Sequence, residues 1–290
     1  MIVIGIIGLL IVLGVIATGV FSVRYVLSRE ENASDKFGEN KVTLTASDGI
    51  QLAAFETISA EKTHQWAILV HSYRTEHSFM NPYAKEYQKQ GYNTLQPDNR
   101  AHGESEGDYI GMGYLDQYDV MSWIHYILEK DPEAEIILHG VSMGASTLMM
   151  LSGQENTPDN VKAIVEDCGY SSARAYLTWK LKQRFHLPSF PVIPIANLAF
   201  KRSAGYYMND ASALEGVKNS RIPILFIHGT EDQTVPVEEV YKLYEKAACE
   251  KQLYIVEGAG HGEALWKDKE GYWERVFGFI NNISEVRHSK

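Results

Sequence analysis

Two kinds of hydrophobic spacing take turns along most of this chain. Positions 41–57, KVTLTASDGIQLAAFET, alternate apolar and polar residues on either side of Ser47-Asp48-Gly49, a turn sequence, and predict a β-hairpin. Short apolar runs follow at 66–71 (WAILVH), 92–96 (YNTLQ), 135–139 (EIILH), 161–166 (VKAIVE), 223–228 (PILFIH) and 252–256 (QLYIV), each suited to a strand buried on both faces. Between them, helical spacing appears at 80–90, 114–129, from 143 onward, 237–248 and 270–281. Strands that alternate with helices in this way predict an α/β fold: a mostly parallel central sheet flanked by helices and entered through an antiparallel hairpin. In such sheets the working groups gather beyond the carboxyl ends of the strands.

The rhythm breaks twice. About 50 residues, 171–222, separate two strands where a plain crossover needs about a dozen. They hold AYLTWKLKQRFHL, the proline-rich PSFPVIP and a second helical stretch, which together predict a small helical cap over the strand ends. The other break is residues 1–23, which carry no charge although about 22% of the chain is charged and about five charges would be expected there. As a helix this stretch would span about 34 Å, enough to cross a bilayer core, and it is expected to be a single-pass transmembrane anchor to the cell membrane. A cleaved signal peptide is the rival; the absence of Lys or Arg before the run and its length beyond a usual apolar core of about 7–15 residues favour the anchor. Arg24 and Arg29 cast a weak positive-inside vote, diluted by Glu30 and Glu31, so the side on which the catalytic domain sits stays open. Residues 28–41, SREENASDKFGENK, are polar and without apolar periodicity, so 24–40 are expected to form a flexible linker, and 41–282 the main domain.

Composition then narrows the function. With 37 acidic against 27 basic residues and a net charge of −10, the chain has no basic excess for nucleic acid. Its two cysteines, Cys168 and Cys249, fit neither a disulfide scaffold nor a zinc site. No metal or cofactor is expected, and oligomeric state is left open.

Candidate chemistry sits at the strand ends. After EIILH comes Gly140-Val141-Ser142-Met143-Gly144, a Gly-x-Ser-x-Gly between strand and helix, where a tight turn can hold the serine oxygen clear of the backbone. Side chains at Gly140 and Gly144 would collide where strand and helix meet. A serine hydroxyl needs a base to take its proton and a third group to fix that base. After PILFIH the chain reads Gly229-Thr230-Glu231-Asp232-Gln233-Thr234-Val235-Pro236; after QLYIV it reads Glu257-Gly258-Ala259-Gly260-His261. An acid and a histidine thus follow two later strands in the order Ser, Asp, His.

On these motifs residues 41–281 resemble the α/β-hydrolase superfamily, in particular its serine hydrolases of the serine-aminopeptidase and monoglyceride-lipase type. The resemblance implies that Ser142 is the nucleophile, His261 the general base and Asp232 the acid that orients it, with Glu231 the neighbouring rival. It also implies an oxyanion hole from the backbone N–H groups of Met143 and Tyr73, the latter in His71-Ser72-Tyr73-Arg74, where relatives carry glycine in place of Ser72. The loop Asp98-Asn99-Arg100-Ala101-His102-Gly103 is similar to a family loop that ties neighbouring loops together, so His102 is expected to be structural. His71, His139 and His228 lie at strand ends and are expected to be satisfied there rather than to bind metal. The function implied is cleavage of a small ester, or else a thioester or amide, through an acyl-enzyme; an acyltransferase on the same triad and a non-catalytic surface protein are the alternatives.

Overall fold

The computed structural model describes residue 14, residue 17 and residues 19–30 and 40–288, the side chains at 185 and 284–288 aside. Most of the expected membrane anchor lies outside the described residues, as does 31–39 of the expected linker. Among the described residues, no helix is long and apolar enough to cross a membrane.

Eight strands form one sheet in the order β1-β2-β4-β3-β5-β6-β7-β8. The hairpin β1 (Lys41–Thr45) and β2 (Gln51–Thr57) pairs antiparallel, with Val42 opposite Ala54, and β2 runs antiparallel to β4 (Asn93–Pro97). From β4 onward every pairing is parallel, through β3 (Gln65–Val70), β5 (Glu135–Val141), β6 (Val161–Asp167), β7 (Ile224–Gly229) and β8 (Lys251–Val256). The near-continuous apolar runs follow from burial on both faces. Trp66, Ile68 and Val70 of β3 enter one core, whereas Ala67 and Leu69 enter the other. A helix through residues 19–27 (α1) contributes Val23 and Leu27 to the first core. That core also receives α3 (Asp116–Lys130), α4 (Met143–Leu151), α7 (Ala213–Asn219) and α8 (Glu238–Lys246). The second core is aromatic: Tyr83 and Tyr87 of α2 (Asn81–Lys89) meet Tyr272 and Trp273 of α10 (Lys269–His288), with the short α9 (Ala264–Lys267) beside them.

The long insert divides into two parts. Helices α5 (Ala173–Phe185) and α6 (Ser189–Ala204) form the cap. The third helix, α7, belongs instead to the main domain, because Gly216 lets it lie against α4. A Cβ at that position would stand 2.1 Å from the Met149 carbonyl oxygen. The first part of the expected linker also differs from a tether. Leu27 accepts the Ile110 N–H at 2.9 Å, Glu30 N–H donates to the Ala101 carbonyl at 2.8 Å, and Arg29 Nη1 donates to the Ser105 carbonyl at 2.8 Å. A chain with so many backbone partners is docked, whatever its lack of apolar periodicity.

The loop after β4 behaves as the brace its sequence implies. Arg100 makes a bidentate contact to Asp119 on α3, Nε to Oδ2 at 2.7 Å and Nη2 to Oδ1 at 2.6 Å, and reaches Asp48 in the β1–β2 turn at 2.9 Å. Both partners of the inner pair are buried. Removing one partner strands the other without water, so Arg100→Met is expected to cost about 3–5 kcal/mol in denaturant unfolding of the full chain; a loss within about 0.5 kcal/mol would show that the brace is dispensable.

Candidate active site

Ser142 sits between β5 and α4 with φ 55° and ψ −111°, a conformation L-residues avoid and which the surroundings must enforce. The enforcement is visible. A Cβ at Gly140 would lie 2.5 Å from the Gly144 carbonyl carbon, and one at Gly144 would lie 2.1 Å from the Val70 carbonyl oxygen. Ser142 N–H donates to the Asp167 carbonyl at 2.7 Å, pinning the turn to the end of β6. Any side chain at either glycine would push strand and helix apart and release the serine.

The three expected residues come together. Ser142 Oγ is 2.8 Å from His261 Nε2, and His261 Nδ1 is 2.6 Å from Asp232 Oδ2. Two loops carry the acid and the histidine and hold each other in register. Glu231 N–H donates to the Ala259 carbonyl at 2.9 Å, Gly258 N–H to Thr230 Oγ1 at 2.8 Å, and Gly229 leaves room where a Cβ would meet the Ala259 oxygen at 2.2 Å. Asp232 is buried, whereas its neighbour Glu231 is exposed. Burial by itself would raise the Asp232 carboxyl. Hydrogen bonds from His228 and His261, with the Thr234 and Val235 N–H groups on Oδ1 at 2.7 Å and 2.9 Å, hold it well below the usual carboxylate range instead. A carboxylate kept ionised behind an imidazole whose other nitrogen faces a hydroxyl can orient that imidazole and stabilise its charged form.

Around this line lie the four histidines that the sequence placed in structural roles. His102 is buried, with Nδ1 toward the Arg100 carbonyl at 3.0 Å and Nε2 accepting the Arg74 N–H at 3.1 Å, so it is a neutral brace for the loop after β3. His71 does similar work: Nδ1 faces the Ser72 carbonyl at 2.7 Å, Nε2 accepts the Asn99 N–H at 2.9 Å, and burial pushes its pKa down to about 3. His139 lies between the Tyr87 and Tyr272 hydroxyls at 3.1 Å and 3.0 Å. His228 Nε2 lies 2.9 Å from the Val235 carbonyl and 3.3 Å from Asp232 Oδ2.

In the His71–Arg74 loop it is Arg74, not Ser72, that takes a positive φ, at 56°. The side chains of Tyr73 and Arg74 turn to the N-terminal segment. Tyr73 Oη donates to the Val26 carbonyl at 2.8 Å. Arg74 donates from Nη1 to Glu30 at 2.9 Å and from Nη2 to the Tyr25 carbonyl at 2.6 Å and Ser28 Oγ at 2.8 Å. Its guanidinium also lies 4.7 Å from the centre of the Tyr25 ring. Neither Tyr73 N–H nor Met143 N–H has an acceptor among the described residues; the latter is an orphan donor of the first turn of α4. A cavity of about 600 Å³ opens between α5 and the start of α8, lined by Tyr170, Tyr176, Trp179, Val235 and Pro236; Ser142 is not part of its wall.

Two acids end β6 directly behind the site. Glu166 and Asp167 are both fully buried; burial, reinforced by the neighbouring Asp167 charge, pushes Glu166 up to about 8, and burial raises Asp167 to about 6. A carboxyl whose pKa is higher folded than unfolded adds stability that is complete below its ordinary value near 4.5 and is lost as pH rises through about 8. The melting temperature is therefore expected to fall from about pH 5 to about pH 9, and Glu166→Gln to flatten that fall. Parallel pH profiles of the two proteins would remove Glu166 as the cause.

The sequence matches the prolyl oligopeptidase family over residues 73–286, about three quarters of the chain. It is 31% identical over 196 residues to the uncharacterized protein YqkD of Bacillus subtilis, a match covering 67% of this chain and 64% of that relative's length. The uncharacterized protein YfhR of Escherichia coli K12 is 26% identical over 257 residues, covering 85% of this chain and 82% of that protein. Among solved structures, the Pyrococcus furiosus esterase Pf2001 superposes with a TM-score of 0.68 at 23% identity, over 83% of this chain and 90% of that one, a likeness of fold. The family matched is not the aminopeptidase and monoglyceride-lipase type that the motifs resemble, but it shares their superfamily. Sheet order, serine turn and family match agree: the chain is an α/β-hydrolase and belongs to the prolyl oligopeptidase family.

Proposed function

We propose that this chain is a serine hydrolase that cleaves a small carboxylic ester through an acyl-enzyme, with Ser142, His261 and Asp232 as its triad. The observation that carries the reading is the unbroken line from Ser142 Oγ through His261 to the buried Asp232 carboxylate. His261 Nε2 takes the Ser142 proton as Oγ attacks the substrate carbonyl carbon. The oxygen of the tetrahedral adduct collects negative charge and is held by the N–H groups of Tyr73 and Met143. His261 returns the proton to the departing alkoxide as the C–O bond breaks, leaving Ser142 acylated. Water then attacks, its proton going to His261, and Ser142 leaves with that proton as the acid is released. Thioesters and amides share these steps with a different leaving group.

The uncharged stretch supports attachment of this enzyme to the cell membrane through one span, with its last residues, 19–23, packed on the main domain as part of α1.

Ser142→Ala is expected to abolish labelling by a fluorophosphonate and turnover of short-chain nitrophenyl esters; robust turnover in that variant would refute the triad. A second expectation concerns the oxyanion loop, whose Arg74 leans on Glu30. Loss of one charged hydrogen bond there should slow fluorophosphonate labelling of Glu30→Gln by roughly tenfold. Glu30→Asp should recover part of the rate, and unchanged labelling in both variants would separate the N-terminal segment from catalysis.

A further inference from the structure

Charge is distributed unevenly over the main domain. Between Asp167 and Asp210 lie 42 residues without a single Asp or Glu, where about five would be expected in a chain with 37 acids among 290 residues. The same stretch holds Arg174, Lys180, Lys182, Arg184, Lys201 and Arg202. Among the described residues none of the six enters an ion pair. A protein of net charge −10 thus carries a cationic cap.

The cap is also greasy on its outside. Phe190 is 77% exposed and Leu198 66% exposed, and Leu198 also stands in the wall of an apolar groove. On α1, Phe21 is 72% exposed. The two helices touch, since a Cβ at Gly19 would meet Ile195 Cγ2 at 3.0 Å. Where they meet, a groove of about 690 Å³ is lined by Val20, Ile195, Leu198 and Ala199, with Lys201 and Arg202 also in its wall. Lys201 is held by the Gly205 carbonyl at 2.6 Å and lies over the Tyr207 ring, without a carboxylate partner. Exposed apolar side chains beside cations outside any ion pair match the boundary between anionic headgroups and acyl chains, where the apolar groups sink and the long basic side chains reach back to phosphate or carboxylate. Nucleic acid would satisfy the cations and leave Phe190 and Leu198 in water. In the sequence the uncharged stretch continues into α1, the helix that packs on α6 at Gly19.

We propose that the cap lies against an anionic lipid surface, with Leu198 and Phe190 seated at the headgroup–acyl boundary and Lys201 and Arg202 on the headgroups. The contact is a second membrane attachment, formed by residues other than those of the anchor, and it does not depend on the hydrolase reading.

The test uses the full chain with Ser142→Ala, so that activity plays no part, and with Cys249→Ser, so that a thiol-reactive, polarity-sensitive dye goes to Leu198→Cys; the remaining Cys168 is buried. In nanodiscs of phosphatidylcholine with phosphatidylserine, the dye is expected to shift to the blue and to lose acrylamide quenching severalfold relative to phosphatidylcholine discs. The same dye on Tyr241→Cys, an exposed position on α8, should show no difference. K201E with R202E should restore quenching at position 198. A dye equally water-exposed in both lipids overturns the proposal. If the chain does not enter discs, the anchor reading fails on its own, and flotation with phosphatidylserine vesicles decides the cap: binding lost in K201E with R202E supports it, and no binding overturns it.

Discussion

Everything at the centre of this molecule depends on how closely β5 and α4 approach one another. At Gly140 a Cβ would strike the backbone of Gly144 and Ala145 in α4, and at Gly144 a Cβ would strike the Val70 carbonyl at the end of β3, and the turn between β5 and α4 must reverse within one residue. Ser142 takes that turn with a positive φ, a strain of order 1–3 kcal/mol that the sheet absorbs. The packing leaves α4 little choice of position, with all nine of its residues buried, and α7 is drawn onto it at Gly216. The strained serine is thus held by backbone contacts on several sides, which is what a group needs if it is to stay in line with a base carried by a separate loop.

The electrostatics follow the same economy. Burial works against Asp232, yet two histidines and two backbone N–H groups hold it ionised. On the neighbouring strand β6, burial has the upper hand over Glu166, which lacks a basic side chain hydrogen-bonded to it and is pushed up to about 8. The contrast shows that position in the sheet does not decide the charge state; the number of donors aimed at each carboxylate does. His71, His102 and His139, all buried and all lowered, are likewise neutral hydrogen-bonding parts of the scaffold.

Much of this was legible in the sequence because it is local. Each strand is an unbroken or alternating apolar run, and Gly-x-Ser-x-Gly declares its own steric reason. Serine, acid and histidine follow the strands β5, β7 and β8 in that order, and the family resemblance of those motifs named the three residues that the fold brings to one edge. What escaped is non-local. Helix α7 has only seven residues with a glycine at its centre, a weak helical signal, so the whole insert read as cap although α7 packs on α4. Residues 24–30 have no periodicity, and nothing in them announces that Arg29 reaches the carbonyls at 103 and 105 or that Glu30 meets Arg74. A pair of acids at the end of an apolar strand was the available signal for Glu166 and Asp167.

The docked N-terminal segment links two features that the sequence presents as separate. Tyr25, Val26, Ser28 and Glu30 lie a few residues beyond the uncharged stretch, and all four touch Tyr73 or Arg74. Arg74 in turn gives its backbone N–H to His102, whose loop is tied by Arg100 to α3. The loop that follows β3 is therefore clamped between the sheet's own brace and a strap continuous with the first residues of the chain. A loop clamped on both sides has little freedom to change its backbone conformation.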